Sequence, residues 1–314
     1  VPDSVADMGE FALIDAVTAR FPQGRPVLLG PGDDAAVLAV PDGRVVVTTD
    51  MLVEGRHFRR DWSGPRDVGR KAAAQNLSDV AAMGARPTAI TVSLAAPADL
   101  DTGWALEFAD GLREECDRVG ASVIGGDMVG AEMVVVSVTA LGDLEGRQAV
   151  LRAGARNGDV VAVCGRLGWA EAGLKVLSRG FRSPRALVEA HRCPDVPYDA
   201  GPEAADMGAT AMCDVSDGLL ADVGHIAERS GVRVDIRLSE LGVDEPVREI
   251  AGVLGADPVA WVLTGGDDNA LVATFPAETA LPERWRVIGR VEAGSGVLVD
   301  GEPYAGPSGH THFS

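Results

Sequence analysis

Four acidic segments tied to glycine recur along the chain: Gly32-Asp33-Asp34, Gly125-Gly126-Asp127, Asp214-Val215-Ser216-Asp217-Gly218 and Gly265-Gly266-Asp267-Asp268. Each stands near the end of an apolar, strand-like run and reads as a short turn. Glycine lets a backbone turn tightly and lets a bulky ligand come close, while clustered carboxylates supply the hard oxygen donors that suit Mg²⁺. Bare carboxylates repel a nucleotide, so the pattern predicts one polyanion site in which Mg²⁺ lies between acid and phosphate.

Other segments add donors. Val45 to Asp50 reads as a strand with Thr48, Thr49 and Asp50 at its end, where two hydroxyls and a carboxylate reach a metal directly or through water. A strand followed by an Asx turn explains that stretch alone. Glu54-Gly55-Arg56-His57-Phe58 downstream brings an imidazole to the same connection. Asp67 to Gly84 reads as a helix with Ala73, Leu77 and Val80 inward. A neighbouring stripe of Ala72, Gln75, Asn76 and Asp79 is either a solvated face or a site wall. Asn76, Ser78 and Asp79 are poor helix formers, which favours the wall. Asp214 to Gly218 precedes a helix with Leu219, Leu220, Val223 and Ile226 inward and Gly231 as its stop. Ser216 or Asp217 serves as its cap, or its first N–H groups hold phosphate. The five histidines show no close metal-ligand spacing apart from His310 and His312, and no Ser/His/Asp or Cys/His pattern for covalent catalysis is present.

These residues need a layered scaffold. Strand-like runs at 44–49, 90–95, 133–141, 160–164, 232–238, 271–275 and 287–291 alternate with helical patterns. Among the latter, Ala105, Phe108, Leu112, Cys116 and Val119 follow a Thr102 N-cap, and a shorter helix follows Ser183-Pro184. Gly180 ends the helix before it. A Gly-, Asp- and Arg-rich stretch at 142–159 marks a boundary, giving domains 1–146 and 147–314 with two acidic segments each. The repeated Gly-Gly-Asp is too short to establish an internal repeat. The Gly- and Pro-rich tail ends in His310-Thr311-His312-Phe313 and either frays or folds back over a pocket.

A net charge of −19 excludes non-specific binding to nucleic acid or anionic lipid. The only lysines, Lys71 and Lys175, lie outside any phosphate-cradling Gly-x-x-x-x-Gly-Lys-Ser/Thr loop, so a P-loop kinase is excluded. Cys116, Cys164, Cys193 and Cys213 are too dispersed for a zinc site or a disulfide framework. Val1 to Val17 lacks a basic stretch followed by an apolar one, and no run reaches the ~18 apolar residues of a membrane span. A cytoplasmic setting is the expectation.

Taken in order, seven segments resemble the thiamine-monophosphate kinase family, within the superfamily that includes aminoimidazole ribonucleotide synthetase and selenophosphate synthetase. They are Gly9 to Ile14, Gly32 to Val37, Thr48 to Phe58, Asn76 to Ala85, Gly125 to Asp127, Asp214 to Leu219 and Thr264 to Asp268. The His-Phe and Asn-Leu-Ser-Asp stretches separate this family from its relatives. The resemblance implies a two-domain α/β (α+β) aminoimidazole ribonucleotide synthetase-like fold, dimerising through the N-terminal sheet, with ATP near the dimer and domain interface. It implies direct phosphoryl transfer from ATP to thiamine phosphate with several Mg²⁺ ions. Carried over by position, Asp34, Thr48, Thr49, Asp50, Asp79, Asp127, Asp214 and Asp217 bind Mg²⁺. Gly126, Asp127, Arg152 and Ser216 serve ATP, and His57, Asp267 and His310 contact thiamine phosphate. The chain departs from the family pattern at Asp267, where Glu is usual, and at His310, where a larger aromatic residue precedes Asp-His-Phe.

A phosphate monoester has its second pKa near ~6, so the acceptor is already substantially ionised and needs no general base. The obstacle is bringing two anions together, which metal bridging and in-line positioning overcome. Two alternatives stand beside this reading: another ATP-dependent enzyme of the superfamily, or a non-catalytic Mg²⁺-nucleotide-binding regulator. Neither a nucleic-acid nor a membrane partner is expected.

Overall fold

The computed structural model describes residues 4–32 and 35–310. The chain divides into two compact units, 1–80 with 85–146, and 81–84 with 147–314.

In the first unit α1 (Val5–Met8), α2 (Glu10–Thr18), β1 (Val27–Leu29) and β2 (Val37–Leu38) lead into β3 (Val46–Val53), α3 (Pro65–Ala82), β4 (Arg86–Ala96), α4 (Thr102–Asp117), β5 (Ser122–Gly130) and β6 (Val135–Asp143). The last four strands form one sheet in the order β3-β6-β4-β5. Only the β4–β5 pair, joined through α4, is parallel. Strand residues alternate between faces. Val136, Val138 and Ala140 on β6 are buried, as are Val92 and Leu94 on β4 and Ala105, Phe108, Leu112 and Cys116 along α4. Each such large apolar side chain contributes about 1.5–3 kcal/mol by leaving water. The opposite face is open, with Val47 and Met51 on β3 and Val129 on β5 all more than half exposed. Asp101, rather than Thr102, caps α4, its side chain accepting from the Trp104 N–H at 2.9 Å.

The second unit contains β7 (Val160–Cys164), α5 (Trp169–Ser178), α6 (Arg185–Arg192), α7 (Ala200–Asp206), β8 (Ala211–Val215), α8 (Leu219–Ser230), β9 (Arg233–Ile236), α9 (Leu238–Leu241), α10 (Glu245–Leu254), α11 (Pro258–Thr264), β10 (Ala270–Phe275), β11 (Arg286–Glu292), β12 (Gly296–Val299) and β13 (Glu302–Pro303). Its seven-stranded sheet runs β13-β12-β9-β11-β7-β10-β8, antiparallel except for β12 beside β9. Strands β7, β8 and β10 are almost wholly buried, which is why they read as continuous apolar runs. Pro184 occupies the N-cap of α6. Gly231 ends α8 in the left-handed conformation, as its position after Ser230 predicts. No helix among the described residues is long and apolar enough to cross a membrane.

Candidate active site

The first unit carries one group of site residues on β3, α3 and the loop after β3. Thr48, Thr49 and Asp50 do not end a strand; they lie within it. Strand β3 is an edge, so its outward backbone groups need partners from outside the ladder. Helix α3 supplies one. The fully buried Asn76 accepts from the Asp50 N–H at 2.9 Å while its amide donates to the Ala72 carbonyl at 2.9 Å. The Thr48 hydroxyl donates to Asp79 at 2.7 Å. The polar stripe of α3 is therefore a wall packed on β3 rather than a solvated face. His57 is held by its own loop, its Nδ1 accepting from the Val53 N–H at 3.0 Å, so in the neutral ring Nε2 carries the proton.

Gly125-Gly126-Asp127 is not a turn. It lies inside β5, paired in parallel with Thr91, Val92 and Ser93. Strands β3 and β5 are the two edges of the sheet, so Asp50 and Asp127 stand three strand spacings apart, about 14 Å along the sheet. The fold of one chain does not bring these two predicted ligands together within the unit. Asp127 is exposed at its edge. Beside it lies a mainly apolar cavity of about 120 Å³ whose walls include Phe21, Val92, Leu94, Phe108, Gly126 and Asp127. Asp34 lies outside the described residues, as do His312 and Phe313.

The second unit assembles the other group from three pieces of chain. Asp214 lies in β8 and Asp217 on the loop that follows; the second piece is the loop of 264–269, and the third is the tail at Gly309-His310. The Ser216 carbonyl accepts from the Asp267 N–H and the Val215 carbonyl from the Asn269 N–H, each at 2.9 Å. The Asn269 amide donates to the buried Asp214 carboxylate at 3.0 Å. Such contact leaves no room for side chains: a Cβ on Gly266 meets the Ser216 carbonyl oxygen at 2.6 Å, and one on Gly218 meets that of Thr264 at 2.7 Å. The tail folds back, the His310 N–H donating to the Asp217 carbonyl at 2.9 Å while the residue remains exposed. Arg152 is exposed beside β8, near enough for its charge to act on buried Cys213, whose thiol burial pushes well above its usual range.

Two buried acids, Asp222 and Asp268, hold backbone N–H groups, roles that residue type alone does not show. Asp222 accepts from the N–H groups of Ser216, Asp217 and Gly218 at 3.0–3.1 Å, all on one carboxylate oxygen. The N–H groups expected to hold phosphate there are thus already taken. No side-chain cap from Ser216 or Asp217 is made, and Gly218 is the N-cap of α8. Asp268 binds the N–H groups of Gly168 and Ala170 at the start of α5. The spacing Asp-Gly-x-x-x-Asp is the only sequence signal for the first; the second stands in the Gly265-Gly266-Asp267-Asp268 segment, whose residue types do not show its bonds to the start of α5.

Burial raises Asp222 to about 7, and the charges of Asp214 and Asp217 push in the same direction. Carboxylate oxygens of Asp217 and Asp222 and a ring nitrogen of His225 lie within 4.8 Å of one another. A concentration of hard oxygen donors carrying excess negative charge is the donor chemistry that fits a divalent cation.

Asp268 gives a pH prediction. Burial raises it from 3.8 to about 7, so between those values the native state holds a proton that the unfolded chain has released. Stability contributed by this group therefore falls as pH rises from about 4 to about 7, by up to roughly 4 kcal/mol. In chelator-containing buffer Asp268→Asn should flatten that part of the urea-midpoint profile. Parallel profiles for variant and wild type would contradict the assignment.

Two family models match the chain, that of the AIR synthase related protein N-terminal domain over 32–144 and that of its C-terminal domain over 156–301. A thiamine-monophosphate kinase of Mycobacterium tuberculosis is 51% identical over 312 residues, covering 99% of this chain and 93% of that protein. The chain belongs to the thiamine-monophosphate kinase family. Thiamine-monophosphate kinase of Aquifex aeolicus is 35% identical, over 98% of this chain and 99% of its own length. Among solved structures, thiamine-monophosphate kinase from Stenotrophomonas maltophilia K279a superposes with a TM-score of 0.83 at 36% identity, covering 94% of this chain and 98% of that one. AaThiL complexed with AMPPCP and TMP also gives 0.83 at 36% identity, covering 98% and 97%. The mixed α/β architecture is thus that of the thiamine-monophosphate kinase family.

Proposed function

We propose that the chain transfers the γ-phosphoryl group of ATP directly to thiamine phosphate, giving thiamine diphosphate and ADP. The observation that carries this reading is full-length similarity to thiamine-monophosphate kinases, joined to an acid-rich and lysine-poor site. Thr48, Thr49, Asp50, Asp79 and Asp127 in the first unit, with Asp214 and Asp217 in the second, are the Mg²⁺ ligands; Asp34 completes the set from outside the described residues. When bound, Mg²⁺ neutralises phosphate charge and orients the reacting oxygens. Gly126, Asp127, Arg152 and Ser216 serve the nucleotide. The apolar cavity beside Gly126 has the character of a base pocket, and its backbone wall permits close approach.

His57, Asp267 and His310 hold thiamine phosphate. His57, its ring oriented by the Val53 N–H on Nδ1, faces the phosphate of the substrate. Asp267 carries a carboxylate suited to the cationic thiazolium or the aminopyrimidine, and its backbone is tied to Ser216. His310, anchored through Asp217, offers a ring to stack on the substrate.

The open face and two edges of the four-stranded sheet favour a homodimer. Pairing the β3 edge of one copy near the β5 edge of another brings Asp50 and Asp127 of different copies together, which a single sheet does not do. The domains 1–146 and 147–314 then serve as the dimerising nucleotide unit and the unit completing the substrate site.

The reaction tests the reading. Thiamine phosphate should stimulate ADP release from MgATP with thiamine diphosphate appearing in equal amount, and excess EDTA should abolish both. ATP bound without turnover would instead favour a nucleotide-binding regulator.

A further inference from the structure

Three pieces of the second unit converge on the loop Ser216-Asp217-Gly218. The Ser216 carbonyl receives the substrate loop through Asp267, and the Asp217 carbonyl receives the tail through His310. This loop is itself held from below by one side chain, since a single oxygen of Asp222 accepts all three of its N–H groups. Asp222 is only 2% exposed and belongs to the first turn of α8, whose apolar face packs through Leu219, Leu220, Val223 and Ile226 into the core.

We infer that Asp222 is a positioning residue that fixes Ser216 and Asp217, and through their carbonyls Asp267 and His310, in one rigid arrangement. The inference rests on the kinase reading of this site. Three converging N–H groups resemble the backbone concavity that elsewhere binds an anion. Here a carboxylate of the chain fills it, so the loop is organised before any phosphate arrives. The Ser216 and Asp217 side chains then remain for nucleotide and metal, and the two carbonyls remain for the acceptor side. A neutral or shorter residue at 222 leaves buried N–H groups without a charged acceptor and frees the loop to rearrange.

Asp222→Asn and Asp222→Ala in the full-length chain test this, Asn preserving shape and one acceptor oxygen. Hydrogen exchange at 216–218 should accelerate in both, by about tenfold or more in the Ala variant. KM for thiamine phosphate and the Mg²⁺ concentration for half-maximal rate should each rise about tenfold in the Ala variant, with Asn intermediate, because a displaced loop misplaces its dependants. A purely structural acid would lower the folded fraction and the unfolding midpoint while leaving KM and the Mg²⁺ requirement of the folded enzyme at wild-type values. That result, or unchanged exchange at 216–218, would overturn the inference. Should wild type make no thiamine diphosphate, the kinase reading fails separately. Exchange and Mg²⁺-ADP titration of Asp222→Asn still decide the role: faster exchange with weaker binding supports it, and wild-type values for both overturn it.

Discussion

Asp50→Asn and Asp127→Asn should each reduce kcat by two to three orders of magnitude or more while leaving the fold intact, the equivalent of roughly 3–4 kcal/mol of transition-state stabilisation. Each change removes charge from a proposed metal ligand without altering shape. Both residues are exposed on edge strands, where substitutions move stability by about 0.5 kcal/mol or less. Asp50 is tied to α3 through its backbone N–H, which Asn retains. Unfolding midpoints should therefore match wild type. The placement of the pair on opposite edges adds a sharper expectation. Mixing the two inactive variants under conditions that exchange subunits should restore activity, up to about a quarter of wild type, because half the dimers are mixed and each has one site with both acids. No recovery after verified exchange would place both acids in a site formed by one chain. Near-normal turnover by either variant would remove it from the metal set.

Thiamine should be a poor acceptor, with kcat/KM at least about a thousandfold below that of thiamine phosphate. The phosphate supplies a nucleophile already ionised near neutral pH and oxygens that a metal can hold. A free hydroxyl must lose its proton to a base, a step that the ionised phosphate does not need. Comparable kcat/KM values for the two acceptors would show that the nucleophile has been misidentified.

Much of the scaffold was legible because burial writes itself into composition. Strands β7 and β10 are apolar at nearly every position, and α4 and α8 carry apolar residues at helical spacing. Strand β5 was hidden because Gly125, Gly126 and Asp127 are residue types that strands avoid, yet pairing to β4 holds them extended. For the same reason Asp50 read as a strand end: a carboxylate in a strand is unremarkable only on an edge. The donor residues could be recognised by type and order, but not their supports. Asp222 and Asp268 act through backbone N–H groups, those of Asp268 lying far away in sequence, and no periodicity records such a bond. Asn76 stands out in the sequence as a poor helix former, while its partner, the Asp50 N–H, belongs to the edge geometry of β3, which only the fold displays.

Direct phosphoryl transfer between two substrates is the central claim, and following the γ-phosphoryl group tests it most directly. With γ-³²P-ATP, Mg²⁺ and thiamine phosphate, all transferred label should appear in the terminal phosphate of thiamine diphosphate, equal to the ADP formed, with none retained on acid-quenched protein. Label released as inorganic phosphate without thiamine diphosphate, or trapped on the protein as an intermediate, would contradict it.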